Sequence, residues 1–536
     1  MQTCLLSDVL SSNTHIMKNE SIEIEATKPF SESSIWQLNK NYYQRAGISA
    51  WQDGTVPHNL TSNSQVGKTY AELILGLLRD LSFKNKTTEI VYLLELGAGH
   101  GRLAYHILKH LEKLTASLNI DLPPYCYIVS DIAENSLSFY LEHPQFKSFF
   151  EQGVLDLCYF DATTDTELDL RYSKQKISKH SLNQPLLVIS NYFFDSIPTD
   201  LFHIKDKTLS TCSISLHSNK DPKGIDEQAL MDNLEFLYHQ EKIEGSFYKA
   251  PLYNEILADY KNQLTNSYLF FPKEGLQCLS NLRSLSKQGA MVISMDKGFQ
   301  KMEELDNKKS PELIIHGSFS IWVNYHALGQ YCEKSGGQSL FPAFSTFYSQ
   351  VVCLLLLPDS ENYKETVASY QNHVNSFGPD DFNGLKRMTY THIARLTLKE
   401  LLAVIRLSQY DSTLFIKVLP RIKQVLHIIT VPERKRLAQA MEQVWDMYFT
   451  IKEPYDLAYE IGGVFYDLGF YRKALVYFGH STNLFGKNGD VFYNQALCHF
   501  QLREDDKFIE IKQATRQLFP NHAGNAHLDK LDLTSA

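Results

Sequence analysis

The sequence predicts an α/β fold with a parallel sheet, followed by an all-α region. Short apolar runs alternate with helical patterns between residues 91 and 198, as is typical of parallel strands connected by helices. After Pro358 the sequence favours helices and gives no further strand signal. Because a chain of 536 residues is too long for a single hydrophobic core, we expect two or three domains.

A glycine-rich turn follows the first predicted strand, residues 91–96. The sequence there is Glu95-Leu-Gly97-Ala98-Gly99-His-Gly101-Arg102. Glycines let the backbone bend sharply and approach a ligand closely. Apolar residues then recur at helical spacing, which predicts a helix that begins near Gly101 and directs its free N–H groups at the turn. The sequence therefore predicts a site for a nucleotide-like ligand.

The charge around the turn indicates which ligand it holds. The dinucleotide pattern Gly-x-Gly-x-x-Gly/Ala fits only when it is counted from Gly99, and Asn119 stands where an acid is expected. Glu95 would repel a pyrophosphate. S-adenosylmethionine is cationic and carries no phosphate, so nearby carboxylates stabilise it. We therefore expect S-adenosylmethionine as the cofactor.

Polar side chains also follow the next three predicted strands. Asp131 ends the second strand, where a carboxylate can accept from both ribose hydroxyls. Asp161 follows the third, where it can accept from the adenine amino group, and Asn191 follows the fourth. With Ile132 and Ala162 beside them, these residues line one crevice if the sheet is open. The alternative interpretation is a series of ordinary turns with helix-capping acids.

These segments resemble class I S-adenosylmethionine-dependent methyltransferases, and within them the MidA family, which includes the mitochondrial complex I assembly methyltransferase. Residues 191–198, Asn-Tyr-Phe-Phe-Asp-Ser-Ile-Pro, are similar to the family's Asn-Glu-Phe-Phe-Asp-Ala-Leu-Pro, and residues 289–298 to its Gly-x-x-x-x-x-x-Asp-Tyr-Gly strand. Residues 56–63 stand where the family has a threonine-containing loop over the cofactor, which implies that Thr61 contacts it. The resemblance covers about residues 35–357 and implies a seven-stranded Rossmann-like sheet.

The same resemblance suggests where the methyl group goes. It implies a protein arginine as acceptor, although Tyr192 and Lys297 depart from the family's usual Glu and Tyr. Our hypothesis is that Asn191 positions the acceptor and Asp195 holds or deprotonates its nitrogen. A small-molecule methyltransferase and a non-catalytic scaffold that binds S-adenosylmethionine remain as alternatives.

The predicted organisation has three parts. Residues 1–30 are expected to form a flexible tail, residues 31–360 the methyltransferase domain, and residues 361–536 a helical domain. Within the second part, residues 201–216 predict a hairpin that turns near Asp206-Lys207. This hairpin belongs to an insertion, residues 199–265, that is either a substrate-selecting lid or a decoration. We expect the sixth strand within residues 320–327 and the seventh at 347–357, as a final antiparallel pair.

The helical domain contains a repeat with a period of 34 residues, typical of tetratricopeptide repeats. The shift carries Gly462 to Ala496 and Leu468 to Leu502. Because three or more repeats are normally needed for stability, residues 365–450 should supply degenerate helical pairs. We expect the repeats to bind a protein or peptide, with a packing or oligomerisation role as the alternative.

Composition excludes several other classes of function. A net charge of −9 does not favour nucleic-acid binding, and the longest late apolar run, residues 351–357, is too short to span a membrane. Eight cysteines without a Cys-x-x-Cys pair indicate reduced thiols and a cytoplasmic protein. We expect no metal site and interpret His106 and His110 as a solvated helix face. The sequence leaves the oligomeric state open.

Overall fold

The computed structural model describes residues 21–52, 60–220, 226–311, 314–316, 318–344 and 349–531. The chain folds as two units. The first contains the described residues up to Tyr42 together with Asp195–Leu276 and Phe299–Tyr331; the second contains Tyr43–Phe194, Gln277–Gly298 and the chain from Cys332 onward. Within the described ranges, no helix has the length and apolar character needed to cross a membrane.

The second unit is built on a seven-stranded sheet. Its strands are Val91–Glu95 (β1), Tyr125–Asp131 (β2), Leu155–Tyr159 (β3), Leu186–Asn191 (β4), Ala290–Asp296 (β5), Gln338–Leu340 (β6) and Gln350–Leu356 (β7). The spatial order is β3-β2-β1-β4-β5-β7-β6, and β1 to β5 are parallel. Strand β7 runs antiparallel to both β5 and β6. The order reverses between β1 and β4, and ligands of open α/β sheets bind outside the carboxyl ends of the strands at such a switch point.

Most of the predicted strands of this sheet are observed, but the position of the sixth was wrong. Residues 320–327 do not enter the sheet: Ser318–Ser320 and Val323–Asn324 are short strands outside it, and Tyr325 begins the helix Tyr325–Lys334. The sheet strand is β6, which follows this helix after Gly336-Gly337. With three residues and no apolar run, this edge strand leaves almost no periodic signal.

Helices of the second unit cover the apolar strands of its sheet. Up to residue 334, the helices wholly or mostly within this unit are Ser49–Gln52, Ser64–Phe83, Arg102–Ala116, Glu134–Glu142, Pro144–Glu151 and Lys273–Leu285. Those wholly or mostly within the first unit are Ile35–Ala46, Glu227–Met231, Pro251–Gln263, Met302–Leu305 and Tyr325–Lys334. Every residue of β1 is buried, as expected for a strand that is covered on both faces. The core around the sheet also contains Tyr363, Tyr370, Phe449 and Ile451. This core therefore crosses the predicted domain boundary at residue 360.

The C-terminal region is entirely helical where the structure describes it. Its longer helices are Lys364–Tyr370, Gln371–Ser376 (a π-helix), Pro379–His392, Leu398–Leu407, Ser412–Val425, Val431–Met447, Leu457–Asp467, Tyr471–Phe485, Gly489–Gln501, Asp505–Leu518 and Asn525–Lys530. Most of them share a second apolar core. The predicted mixed α/β fold with a C-terminal all-helical region is therefore confirmed.

The first unit contains an antiparallel sheet. The long strand Thr208–Ser218 pairs with Asp200–Lys205, Leu234–Lys242 and Ile22–Pro29, and Asn266–Phe271 pairs with Asp200–Lys205. The predicted hairpin is confirmed: Asp206 and Lys207 form its turn, with φ of 49° and 59°, the left-handed values that a two-residue hairpin turn requires.

Two strands of this unit differ from what the sequence analysis indicated. The predicted tail of residues 1–30 includes Ile22–Pro29, which is a strand; its charged residues Glu23, Glu25 and Lys28 obscured the alternating pattern. The strand Leu234–Lys242 was not predicted either, because polar residues make up most of its second half. Residues 1–20 lie outside the described part of the chain.

Candidate cofactor site

The glycine turn lies between β1 and the helix Arg102–Ala116, as predicted. Gly97, Gly99 and Gly101 have φ of 59°, 60° and 74°, left-handed values that side chains strain to adopt. Space is also restricted. A Cβ on Gly99 would lie 2.9 Å from the Trp51 ring, and one on Gly101 would lie 3.0 Å from the Phe146 ring. The turn therefore requires glycine for both conformation and packing.

Backbone and side-chain hydrogen bonds tie this turn to the end of β2. The Ala98 N–H donates to the Ser130 carbonyl over 2.8 Å, and the Gly99 N–H donates to Asp131 Oδ2 over 3.0 Å. The Tyr140 hydroxyl donates to the Gly99 carbonyl over 2.6 Å. The ends of β1 and β2 consequently act as one rigid element, with both peptide groups of Gly99 fixed.

Glu95, at the end of β1, is a buried acid. Its Oε2 accepts a 2.9 Å hydrogen bond from the Tyr127 hydroxyl on the neighbouring strand. Burial raises the pKa of Glu95 to about 8, the Tyr127 bond opposes the rise, and the charge of Asp131 adds to it. A buried carboxyl of this kind is stabilised in its charged form by a nearby cation, which suits a sulfonium ligand.

Asp131, at the end of β2, is buried between backbone donors. Besides the Gly99 bond, its Oδ1 accepts from the Ala133 N–H over 2.9 Å. Burial still raises its pKa to about 6, although these hydrogen bonds oppose the rise. The Ile132 N–H and the Tyr140 side chain also bond to this carboxylate, and its contact with ribose hydroxyls stays a prediction. Its neighbour Ile132 is half-buried.

Asp161 follows β3 and closes its own turn. Its Oδ1 accepts from the Thr163 N–H over 3.1 Å and from the Thr163 hydroxyl over 2.7 Å, while its own N–H donates to Asp165. Both Asp161 and Ala162 are buried. The alternative of a turn-forming acid is thus realised here, and the adenine contact of Asp161 stays a prediction.

Asn191, at the end of β4, has partners on both sides of its amide. Its Oδ1 accepts a 2.6 Å hydrogen bond from the Tyr70 hydroxyl, and its Nδ2 donates to the Thr61 carbonyl over 3.1 Å. The structure therefore brings Thr61 to the switch point, whereas residues 56–59 of the predicted loop lie outside the described residues. The next residue, Tyr192, has a left-handed φ of 48°, which is a strained value for an aromatic residue.

Sequence reasoning missed the two tyrosines that hold these polar groups. Tyr70 and Tyr127 are fully buried, on the helix Ser64–Phe83 and on β2. In the sequence both read as ordinary core aromatics. The available signal is chemical: a buried phenol requires a hydrogen-bond partner, and the strand-end residues supply it.

The side chain of Arg102, a predicted cofactor-binding residue, contacts the C-terminal region. Its guanidinium donates to the Phe449 carbonyl, with Nε at 3.2 Å and Nη2 at 3.1 Å, and pairs with Glu453. These partners are nearly 350 residues away in the sequence, so no local pattern indicates them. The contact of Arg102 with the cofactor stays a prediction.

The prediction of a solvated face for His106 and His110 was also wrong. Both are buried, and burial is the main cause that lowers their pKa values, to about 4 and about 3. The Nε2 of His106 lies 3.0 Å from the Met447 carbonyl and that of His110 lies 3.1 Å from the Ser64 carbonyl. The spacing of polar residues along a helix does not show that another segment of the chain covers their face of the helix. In the described ranges, no group of three or more His, Cys, Asp or Glu side chains could hold a metal.

Asp195, the predicted catalytic acid, falls in the first unit. It is buried, and its backbone carbonyl accepts from the Ile321 N–H over 3.1 Å. Its role in proton transfer stays a prediction. Phe194 is almost fully buried and lies edge-on to Phe193, in keeping with a core position for at least one of these aromatics.

Residues 75–311 match the model of a protein family described as "Putative S-adenosyl-L-methionine-dependent methyltransferase". No curated protein matches the chain. The chain is similar to two crystal structures of Burkholderia thailandensis proteins that belong to one superfamily. In both comparisons the sequence identity is 11%, and the aligned region covers 63% of this chain and 90% of the other. One is an uncharacterized protein, with a TM-score of 0.39. The other is a candidate methyl transferase bound to S-adenosyl-homocysteine, with a TM-score of 0.41.

The family match includes the glycine turn and the ends of β1 to β4. Its description agrees with the chemistry of these residues, because left-handed glycines and buried carboxyls fit a cationic ligand without phosphate. The chain is an S-adenosylmethionine-dependent methyltransferase, and S-adenosylmethionine is its cofactor.

Proposed function

We propose that this S-adenosylmethionine-dependent methyltransferase methylates a nitrogen atom of a protein substrate that its C-terminal helices bind. The main observation in support of this proposal is that pairs of helices follow the sheet within the same compact unit. We also propose that the sheet order β3-β2-β1-β4-β5-β7-β6 is a Rossmann-like methyltransferase arrangement and that the domain is MidA-like. The observation that supports this arrangement is the glycine turn at the switch point of the sheet.

The turn and the strand ends would hold the cofactor. Glu95 and Asp131 would complement its positive charges and ribose hydroxyls, Asp161 and Ala162 would lie at the adenine, and residues 97–101 would admit it closely. Bound there, S-adenosylmethionine supplies a methyl group on a sulfonium, which leaves as a neutral thioether. Methyl transfer mainly requires alignment and a dry site, and the burial of these residues supports both.

Asn191 is proposed to position the methyl acceptor. Its amide is held by Tyr70 on one side and Thr61 on the other, so it presents a fixed orientation to a substrate. Asp195 would take the proton of the nitrogen that is methylated. An arginine side chain is the proposed acceptor because guanidinium N–H groups donate to carboxylate oxygens such as those of Asp195.

The helices after residue 456 are proposed to be tetratricopeptide-like repeats that recruit the substrate. The pair Leu457–Asp467 and Tyr471–Phe485 is followed, about 34 residues later, by Gly489–Gln501 and Asp505–Leu518. Several apolar side chains of these helices are about half exposed, namely Val476, Leu484, Phe485, Ile509 and Leu518. An apolar surface of this kind suits a protein partner more than a small metabolite.

The test is methyl labelling of a cell lysate by the full-length protein. Tritiated S-adenosylmethionine should label proteins, and Leu484→Asp should reduce that label while cofactor binding by calorimetry is unchanged. Leu141→Asp is the matched control, because Leu141 is exposed to a similar extent (47% against 43%) on a helix beside the sheet. Label confined to small molecules would overturn the protein substrate, and no label in either fraction would favour a non-catalytic scaffold.

We further propose that the protein works in a reducing compartment such as the cytoplasm. The seven cysteines that the structure describes are buried, and none of them forms a disulfide. Burial raises the pKa of several, including Cys126 and Cys158, to about 12, which keeps them as unreactive thiols.

A further inference from the structure

Six consecutive backbone carbonyls of one segment accept hydrogen bonds from side chains of the sheet region. The segment, residues 446–453, begins with the last two residues of the helix Val431–Met447 and leads towards the next helix, Leu457–Asp467; we call it the strap. Its carbonyls at Asp446, Met447, Tyr448, Phe449, Thr450 and Ile451 accept from Tyr105, His106, Gln145, Arg102, His143 and Gln52 respectively, over 2.6–3.2 Å. Loop carbonyls are ordinarily satisfied by water or by their own segment, so this pattern indicates a built interface.

One face of the helix Arg102–Ala116 makes much of this interface. Arg102, Tyr105 and His106 contact the strap carbonyls, and Lys109 and Lys113 pair with the Asp446 carboxylate at 2.8 and 2.9 Å. The spacing of three or four residues places these side chains on one side of the helix. The strap therefore fixes the orientation of the helix that begins at the cofactor turn.

Arg102 forms the most direct link to the turn. It follows Gly101 in the sequence, it is almost fully buried, and its guanidinium donates to Phe449 and pairs with Glu453. A second oxygen of Glu453 accepts from the Ile451 N–H over 3.0 Å, which orients the carboxylate. A buried charged pair of this kind is costly to break, because one partner is then left buried without compensation.

Two further links reach the other glycines. Phe449 packs on Phe146 with ring centroids 4.9 Å apart, and the Phe146 ring fills the space where Gly101 lacks a Cβ. The Gln52 amide donates to the Ile451 carbonyl over 2.6 Å, and its neighbour Trp51 covers Gly99. The strap thus supports the turn from the helix, from the aromatic core and from the Trp51 side.

We infer that the strap is a positioning element of the cofactor site, in which Arg102, Glu453 and Gln52 hold the glycine turn in the conformation that binds S-adenosylmethionine. The C-terminal helices would then be required for cofactor binding as well as for substrate recruitment, because they carry the strap. This inference rests on the proposed placement of the cofactor at the glycine turn. It also means that removal of residues 361–536 would disrupt the cofactor site.

The test measures the dissociation constant of S-adenosyl-homocysteine by calorimetry on full-length variants, with thermal unfolding alongside. Glu453→Gln should weaken binding about tenfold, which is within the usual range of coupling between sites, and Gln52→Ala should weaken it independently. The matched control is Glu442→Gln, since Glu442, on the helix Val431–Met447 and outside the strap, forms a surface ion pair with Lys473 of the helix Tyr471–Phe485. It should leave the dissociation constant within about twofold.

Gly99→Ala separates this inference from the site on which it rests. Normal binding by Gly99→Ala would overturn the cofactor placement itself. Lost binding by Gly99→Ala, with wild-type affinity in both Glu453→Gln and Gln52→Ala, would overturn the strap alone. A fall in the unfolding temperature of the strap variants without a change in affinity would also overturn it, because that result describes a purely structural segment. Should Glu453→Gln not fold, the neutral change Gln52→Ala decides between these outcomes.

Discussion

Tyr127 donates its hydroxyl to the Glu95 carboxylate across two parallel strands, over 2.9 Å, and both side chains are buried. The hydrogen bond favours the charged carboxylate, but burial is the larger effect and raises the pKa of Glu95 to about 8. Near neutral pH the acid is consequently held mainly in its neutral form in the free protein. Because S-adenosylmethionine is a cation, its proposed binding beside Glu95 would favour ionisation of the carboxyl and release a proton.

The first prediction concerns the pH dependence of cofactor affinity. Affinity should rise with pH up to about 8, because the fraction of ionised Glu95 rises over that interval. Tyr127→Phe removes a bond to the charged form, so the rise should move to higher pH and affinity at pH 7 should fall several-fold. Calorimetric titrations of both proteins between pH 6 and 9 measure this. Coincident curves would show that Tyr127 does not act through Glu95.

The second prediction concerns stability in the absence of cofactor. The raised pKa of Glu95 means that the folded protein holds a proton more tightly than the unfolded chain. The contribution of protonated Glu95 to the free energy of unfolding is therefore fully present below the ordinary pKa of 4.5. This contribution is lost as the pH rises towards about 8. Glu95→Gln removes this titration, so the variant should become more stable than the wild type between pH 5 and 8. A thermal unfolding series at matched pH values checks it; a constant difference across the interval would contradict the assignment.

The third prediction compares two glycines with the same backbone conformation. Gly99 and Gly153 have φ of 60° and 71°, but a Cβ would meet Trp51 at Gly99 and nothing within 4 Å at Gly153. Replacement of either glycine by alanine should lower the free energy of unfolding by about 1 kcal/mol, because alanine is strained in the left-handed backbone conformation. Only Gly99→Ala should also displace Trp51 and abolish binding of S-adenosyl-homocysteine. Equal losses of affinity in the two variants would show that strain, and not the contact with Trp51, controls the site.

How much of this site could be predicted from the sequence depends on how far apart in the sequence the interacting residues lie. The turn at Gly97–Gly101, the strand that ends at Asp131 and the hairpin at Asp206-Lys207 follow from local patterns, because glycine, apolar runs and turn residues act over a few positions. The partners of Arg102 and His106 do not, since Phe449 and Met447 approach them only when the whole chain has folded. The short edge strand β6 was missed for a related reason: its pairing with β7 comes from the neighbouring strand and leaves no pattern of its own.

The fourth prediction tests the support of Asn191. Tyr70→Phe removes the hydroxyl that donates to Asn191 Oδ1 and should destabilise the protein by about 1 kcal/mol, the usual value for one buried hydrogen bond. It should lower methylation of lysate proteins more than cofactor affinity, because Asn191 is proposed to hold the acceptor. Tyr92→Phe is the control: its hydroxyl donates to Gln175 over 2.7 Å, near the other end of β1. A similar loss of methylation in both variants would remove the special role of Tyr70.

The fifth prediction uses two adjacent glycines of the helix Leu457–Asp467. A Cβ on Gly462 would lie 2.7 Å from the Phe478 ring of the paired helix, whereas a Cβ on Gly463 would have no atom within 4 Å. Because alanine has the higher helix propensity, each replacement by itself should stabilise the helix by about 0.5–1 kcal/mol. Gly463→Ala should therefore stabilise the protein slightly, while Gly462→Ala should destabilise it by about 1–3 kcal/mol, because Phe478 must move in a packed core.

The same pair of variants tests whether the helix pair recruits the substrate. Gly462→Ala should reduce the labelling of lysate proteins, since it separates the helices Leu457–Asp467 and Tyr471–Phe485, and it should leave calorimetric affinity for S-adenosyl-homocysteine unchanged because the strap precedes both helices. Gly463→Ala should label proteins as the wild type does. Undiminished protein labelling by a Gly462→Ala variant that is measurably less stable would place substrate recognition outside this helix pair.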